Sequence, residues 1–230
     1  MASNRLFTDE ELKQIGERTL DSVAAAIDSG DKEKAKRLSV KMYKEFQGMH
    51  DLYLDWITGL LTFIYNKHGD QELYDALHSA CSVWLKPFSD MNVNQPDMRR
   101  KVMQFASGLK GHLVPLKVEE DDEKFTFMMT PCGSAGRLEL AHAYEPPKNF
   151  AKIKKAQPMT LGLENFSVYC AHCAFQEILP IEWHGAPMVI CQPPAPEKIG
   201  EIPCRLLMYK DPKKIPEKFY KRVGKKKPVA

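Results

Sequence analysis

The chain has 230 residues, 43% hydrophobic and 27% charged, which excludes a disordered, fibrous or membrane-embedded class and is enough to bury a core without disulfide or metal staples. A formal net charge of +3 provides no field of the kind that marks a nucleic-acid binder. Six cysteines without an apolar leader pattern predict a cytoplasmic setting, where thiols are core, metal ligands or redox groups rather than a disulfide framework.

The first half reads as helical. Thr8 and Glu11 form a capping box, and Leu12, Ile15, Leu20, Val23 and Ile27 follow it to a stop at Gly30. Asp31 caps a basic helix that Gly48 is expected to kink or end. From Met49 to Tyr65 the pattern is apolar almost all round, which predicts a buried helix, although the run is too short to span a bilayer. A helix capped by Asp70 is expected to stop near Pro87, and another to run from Pro96 to Leu109.

The period then changes. Leu113 to Glu120 and Glu123 to Thr130 read as a hairpin, with Phe125, Phe127 and Met129 facing the core. Pro131 to Gly136 is a tight loop, and the stretch from Tyr144 to Phe166 wraps the surface. Ser167 is read as the cap of a short Cys-bearing helix ended by Pro180. Ile181 to Trp183, Met188 to Cys191 and Ile202 to Tyr209 read as strands, with a turn at His184-Gly185 between the first two. The expected fold is α+β: an N-terminal helical half, then an antiparallel sheet with an embedded Cys-bearing helix. One compact unit over 1–230 is the default, with a helical part (1–110), an α+β part (111–210) and a basic tail (211–230) expected to be solvated and frayed.

The chemistry concentrates in Tyr169-Cys170-Ala171-His172-Cys173. With Ser167 as cap, Cys170 lies in the first helical turn, where the dipole favours a thiolate by about 0.3–1 kcal/mol. If the last two strands pair symmetrically, Cys191 and Cys204 lie opposite each other. Cys170, Cys173, Cys191 and Cys204 then form a soft four-thiol set suited to zinc, with Cys132 in reserve. A redox pair and plain core thiols stay open, as does a nucleophilic Cys170 with His172 beside it. Arg137, after Cys132-Gly133-Ser134-Ala135-Gly136, is a candidate anchor for a carboxylate or phosphate. Asp51, Asp55, Thr58 and Thr62 form a polar stripe on the apolar helix, with His50 beside it. Such a stripe faces solvent or lines a ligand pocket. An apolar pocket is expected between the helix around Trp56 and Phe63 and the sheet carrying Phe125 and Phe127.

The segment from Gly111 to Tyr209 resembles the vinyl-4-reductase-type small-molecule-binding domain and the L-2-amino-thiazoline-4-carboxylate hydrolase-like proteins. The matching pieces are Met128 to Cys132, Tyr169 to Glu177, and Gly200-Glu201-Ile202-Pro203-Cys204-Arg205-Leu206 against a Gly-Asp-x-x-Cys-x-Phe pattern. Glu201 and Leu206 depart from that pattern, Gly133 stands where proline follows the first cysteine, and the 144–166 insert is foreign to it. The resemblance implies a pocket for an apolar or carboxylated small molecule, and a Cys-bound zinc. Together these features predict a cytoplasmic small-molecule-binding protein with a thiolate-rich site. The alternatives are a hydrolase using a metal-bound water or a Cys nucleophile, and an interaction protein with core thiols. No membrane or nucleic-acid partner is expected, and a homo-oligomer stays open.

Overall fold

The computed structural model describes residues 5–199 and 201–228. Gly200, which opens the final motif of the resemblance, lies outside them. The chain divides into two compact units, Met1–Tyr53 and Leu54–Ala230. The fold is α+β, helical first and then an antiparallel sheet. Among the described residues no helix is long and apolar enough to cross a membrane.

The first unit holds α1 (Asp9–Gly16), α2 (Thr19–Asp28) and the first part of α3 (Lys32–His68). Thr8 and Glu11 make the expected capping box, but the helix does not run on to Gly30. It stops at Gly16, and Glu17 and Arg18 are extended before α2 begins. Glycine is a poor helix former, and here it falls between two short helices that bury little. Asp31 caps α3, its carboxylate accepting from the Lys34 N–H at 2.9 Å. Gly48 does not end α3, because one glycine costs a helix only about 1 kcal/mol.

The second unit continues with α4 (Asp70–Asn94), α5 (Met98–Lys110), β1 (Leu116–Glu120), β2 (Lys124–Met129) and α6 (Ala135–Leu140). After β3 (Lys152–Ile153) and β4 (Phe166–Ser167) come α7 (Ala171–His184), β5 (Ile190–Gln192), β6 (Cys204–Tyr209) and α8 (Glu217–Arg222). The main sheet is antiparallel in the order β1-β2-β6-β5, and β3 pairs with β4 separately. Phe127, Met129, Leu206 and Met208 join α4 and α7 residues such as Leu73, Phe175 and Ile178 in one core.

Two prolines expected to stop helices do not. Pro87 lies inside α4 and Pro180 inside α7. Each costs a backbone hydrogen bond, but buried apolar residues bracket both positions: Leu85 on α4, and Leu179 and Ile181 on α7. Ile181 to Trp183 are therefore helix rather than strand, and Gly185, at φ 77°, closes α7 with its N–H on the Ile181 carbonyl. As far as residue 228 the basic tail is packed rather than frayed. Phe219, Tyr220 and Val223 are buried, Lys225 reaches Glu182 at 2.6 Å, and Lys227 donates to the Lys213 carbonyl.

The apolar helix also turns the other way. Within the second unit, Trp56 and Phe63 are 62% and 55% exposed, while Leu54, Thr58 and Leu61 are buried. Trp56 and Phe63 face solvent and line none of the described cavities, so they do not form the pocket expected against the sheet. The packed face is the one carrying the polar stripe, because its groups have partners there. Asp55 pairs with Lys148, Thr62 accepts the Ala151 N–H at 3.0 Å, and Thr58 returns its hydroxyl to the Leu54 carbonyl. The 144–154 segment thus brings a cation and a main-chain donor that an all-apolar helix face would leave unsatisfied.

Candidate functional site

Directly paired residues of an antiparallel sheet point to the same face. The pairs Phe127↔Leu206, Met129↔Cys204 and Cys191↔Leu206 therefore place Cys191 and Cys204 on the core face beside Met129 and Leu206. The two cysteines are not opposite each other as a symmetric hairpin would have them. They are offset by two positions, because β6 takes its register from β2, where Phe127 and Met129 must face inward. Above this face runs α7. Ser167 does not cap it: its hydroxyl donates to Glu139 at 2.7 Å, and a 3-10 turn, Val168–Cys170, intervenes. Cys170 is the N-cap, and Cys173 is the third helical residue.

These elements enclose a small cavity of about 60 Å³. Five of the six cysteines line it: Cys132, Cys170, Cys173, Cys191 and Cys204. His112, Ser134, Tyr169, His172 and Gln176 add the polar part of the wall, and Met129, Phe166, Ile199 and Leu206 much of the apolar part. Cys81 lies elsewhere in the core, its thiol pushed up to about 12 by burial. All six thiols are free.

The five thiols are not equivalent. Burial raises Cys170, Cys132 and Cys204, and the charge at Cys173 raises them further. The Cys191 thiol donates to the Cys173 carbonyl at 3.3 Å, and the adjoining Cys173 side chain first and burial second raise it. Cys173 moves the opposite way. It is held well below the usual thiol range, first by the adjoining Cys191 thiol and, against burial, by the charges of His172 and His112. His172 Nε2 stands 3.6 Å from Cys173 Sγ, and its Nδ1 is 2.5 Å from the Tyr169 carbonyl. Each ring nitrogen thus has an acceptor, the arrangement an imidazolium requires. Burial pulls His172 down, but the Cys173 charge and these bonds outweigh it and carry it up to about 9. The N-terminal turn of α7 adds its dipole in favour of the thiolate. The result is one thiolate–imidazolium pair among four protonated thiols.

Two supports hold this pair. Gly133 lets the 131–136 loop meet the chain at His112: a Cβ there would fall 2.2 Å from the His112 carbonyl oxygen. Ser134 Oγ then bonds His112 Nδ1 at 2.8 Å. On the same side of α7, one turn after Cys173, Glu177 is fully buried. One of its oxygens takes the Cys191 N–H at 2.6 Å and Arg222 Nη2 at 2.5 Å, and Arg222 also donates to the Cys191 carbonyl at 2.7 Å. Burial lifts Glu177 to about 7 despite the opposing charge of Arg222.

None of the remaining expected site residues is among those that line this cavity. Arg137 is half-buried on α6 and is not in the cavity wall, which has no lysine or arginine among its described residues. Asp55 is taken up by Lys148. His50 and Asp51 belong to the first unit, where His50 Nδ1 is 3.3 Å from Asp51. Although four of the expected metal ligands and the reserve Cys132 reach one cavity, no group of three or more His, Cys, Asp or Glu among the described residues is disposed to hold a metal ion.

Sequence reasoning did not place His112, Gln176, Glu177 or Arg222 at the site. Only Glu177 left a trace, as a lone acid inside the apolar run Ala174-Phe175-Gln176-Glu177-Ile178-Leu179. No protein-family model, curated protein or solved structure matches the chain.

Proposed function

We propose that the second unit binds a small, largely apolar molecule in the five-cysteine cavity and that Cys173 is its nucleophile. The observation that carries this is the Cys173–His172 pair, one thiolate facing a doubly bonded imidazolium in a mostly apolar chamber. A thiolate is the reactive form of cysteine, and a pair of this kind keeps it available at neutral pH. Cys170, the first candidate from spacing, serves as a protonated wall residue. The occupant is an electrophile of few atoms. Among the described residues the wall carries no lysine or arginine, which favours an uncharged group at the reacting end over a carboxylate. Six free thiols suit a reducing cytoplasm.

A hydrolase is the second reading. The same pair supplies a nucleophile for an acyl or amidine carbon and a proton for the leaving group, and water then releases the product.

Small-reagent alkylation followed by peptide mapping tests the site. An ordinary thiol loses nearly a hundredfold in rate between about pH 8 and pH 6, as its thiolate disappears. Cys173 is expected to be modified first, with a rate nearly flat over that interval, and His172→Ala should restore the steep dependence. Modification led by another cysteine, or a steep profile for Cys173 itself, would refute the reading. Stoichiometric zinc in the purified protein, with Cys173 protected until chelation, would replace the nucleophile by a zinc–thiolate site.

A further inference from the structure

The first unit cannot account for its own folding. Among its described residues only Val23 and Ala26 are buried, whereas Leu12, Ile15, Leu20, Ile27, Met42 and Phe46 are all exposed. Ordering each residue costs on the order of 1 kcal/mol, and two buried aliphatic side chains return only a few. The exposed side chains of α3 are also ordered along it. Met42, Phe46, Met49 and Tyr53 are spaced 4, 3 and 4 apart, with Leu52 beside them, and they are between 37% and 60% exposed. In sequence the same alternation continues at Trp56, Leu60 and Phe63, each of them exposed. Spacing of 3 and 4 is the seam that one helix presents to another.

We infer that this seam of α3 is a homodimer interface, occupied by α3 of a second copy of the chain. The area is adequate. Large apolar side chains cover ~150–250 Å² each, so at half exposure each offers on the order of 100 Å². Five residues give roughly 500 Å² per copy and about 1,000 Å² for two, the threshold of a specific interface. A two-fold pair closes on itself, as most soluble oligomers do. The start of α3 is basic, but beside the seam itself the charges are of mixed sign, Lys41 and Lys44 against Glu45 and Asp51, and Lys41 pairs with Glu45. That pattern suits a helix partner better than an anionic membrane, which calls for a uniformly basic flank.

Light scattering and sedimentation of the full chain over a wide dilution series test this. The dimer is expected in the wild type, and Phe46→Glu with Met49→Glu should weaken it by roughly a hundredfold or more, since both carboxylates would be buried in the seam. Cys173 alkylation reports that the second unit stays folded in the variant. Should the variant lose its N-terminal helices, hydrogen exchange of the wild type decides: protection at 42–53 that falls with the dimer fraction on dilution supports the interface, and protection independent of concentration overturns it. A wild type monomeric throughout the series, a dimer untouched by the double substitution, or a monomer that binds phosphatidylserine vesicles through α3 also overturns it.

Discussion

Removing Arg222 should damage the protein far more at alkaline than at acidic pH. Glu177 is fully buried, and its only ionic partner among the described residues is Arg222 at 2.5 Å, which also donates to the Cys191 carbonyl. Arg222→Ala deletes both contacts and leaves a buried carboxylate held by one main-chain N–H. Breaking a buried pair from one side costs about 3–5 kcal/mol when the remaining charge stays ionised. Glu177 already titrates near 7 because burial outweighs Arg222, and losing the cation pushes it higher. A carboxyl raised in the folded state holds its proton where the unfolded chain, at 4.5, has released it. Stability therefore falls as pH rises from 4.5 through the folded value, and in the variant the fall continues further. At about pH 5.5 the carboxyl is protonated in the folded variant, and only ~1 kcal/mol of lost hydrogen bonding remains. Near pH 8.5 the loss should reach ~3 kcal/mol, or on the order of 10 °C in Tm for a unit of this size. Urea unfolding of both proteins at the two pH values measures it. Equal losses at both, or a loss under ~1 kcal/mol at the higher pH, would refute the account of Glu177 as a buried, Arg-compensated acid.

Cys170→Ser should cost about 1–3 kcal/mol, from burying a hydroxyl in place of a protonated thiol, and should leave the flat pH profile of Cys173 alkylation intact; loss of that profile would make Cys170 part of the reactive pair. Gly133→Ala places a Cβ against the His112 carbonyl and must move backbone, so a loss of more than ~2 kcal/mol is expected; a neutral melting curve would contradict the close approach. Thr62→Val strands the Ala151 N–H and should cost about 1–3 kcal/mol, whereas Asp55→Ala removes a half-exposed ion pair with Lys148 and should cost under ~1 kcal/mol. Chemical denaturation ranks the two, and the reverse order would mean that the polar stripe docks the 144–154 segment by charge rather than by main-chain bonding.

Local chemistry was readable without coordinates. The Thr8–Glu11 capping box, the Asp31 cap, the 116–129 hairpin and the helix-then-sheet order each follow from a period or spacing within a few residues. Where the reading failed, a distant segment decided. Pro87 and Pro180 are tolerated because the helices around them are clamped by core contacts, so a local penalty is outweighed. Apolarity announced a buried helix at 49–65, yet polarity chose its inner face, since Lys148 and the Ala151 N–H arrive from some ninety residues away in sequence.

The cavity divides along the same line. The sequence by itself determined that thiols and a histidine gather near residue 170, and the Cys-x-x-Cys spacing put two of them on one side of one helix. It could not determine which thiol ionises, because ionisation is set by what stands within a few ångströms. His172 turned toward Cys173, Cys191 brought by a sheet register that Phe127 and Met129 dictate, and His112 pressed against Gly133 are all decisions of the tertiary structure. So is Arg222, which composition assigned to a loose basic tail and packing placed on a buried glutamate. Spacing along a chain specifies neighbours on one element, while the electrostatics of a buried site depends on neighbours from several, and only folding makes them meet.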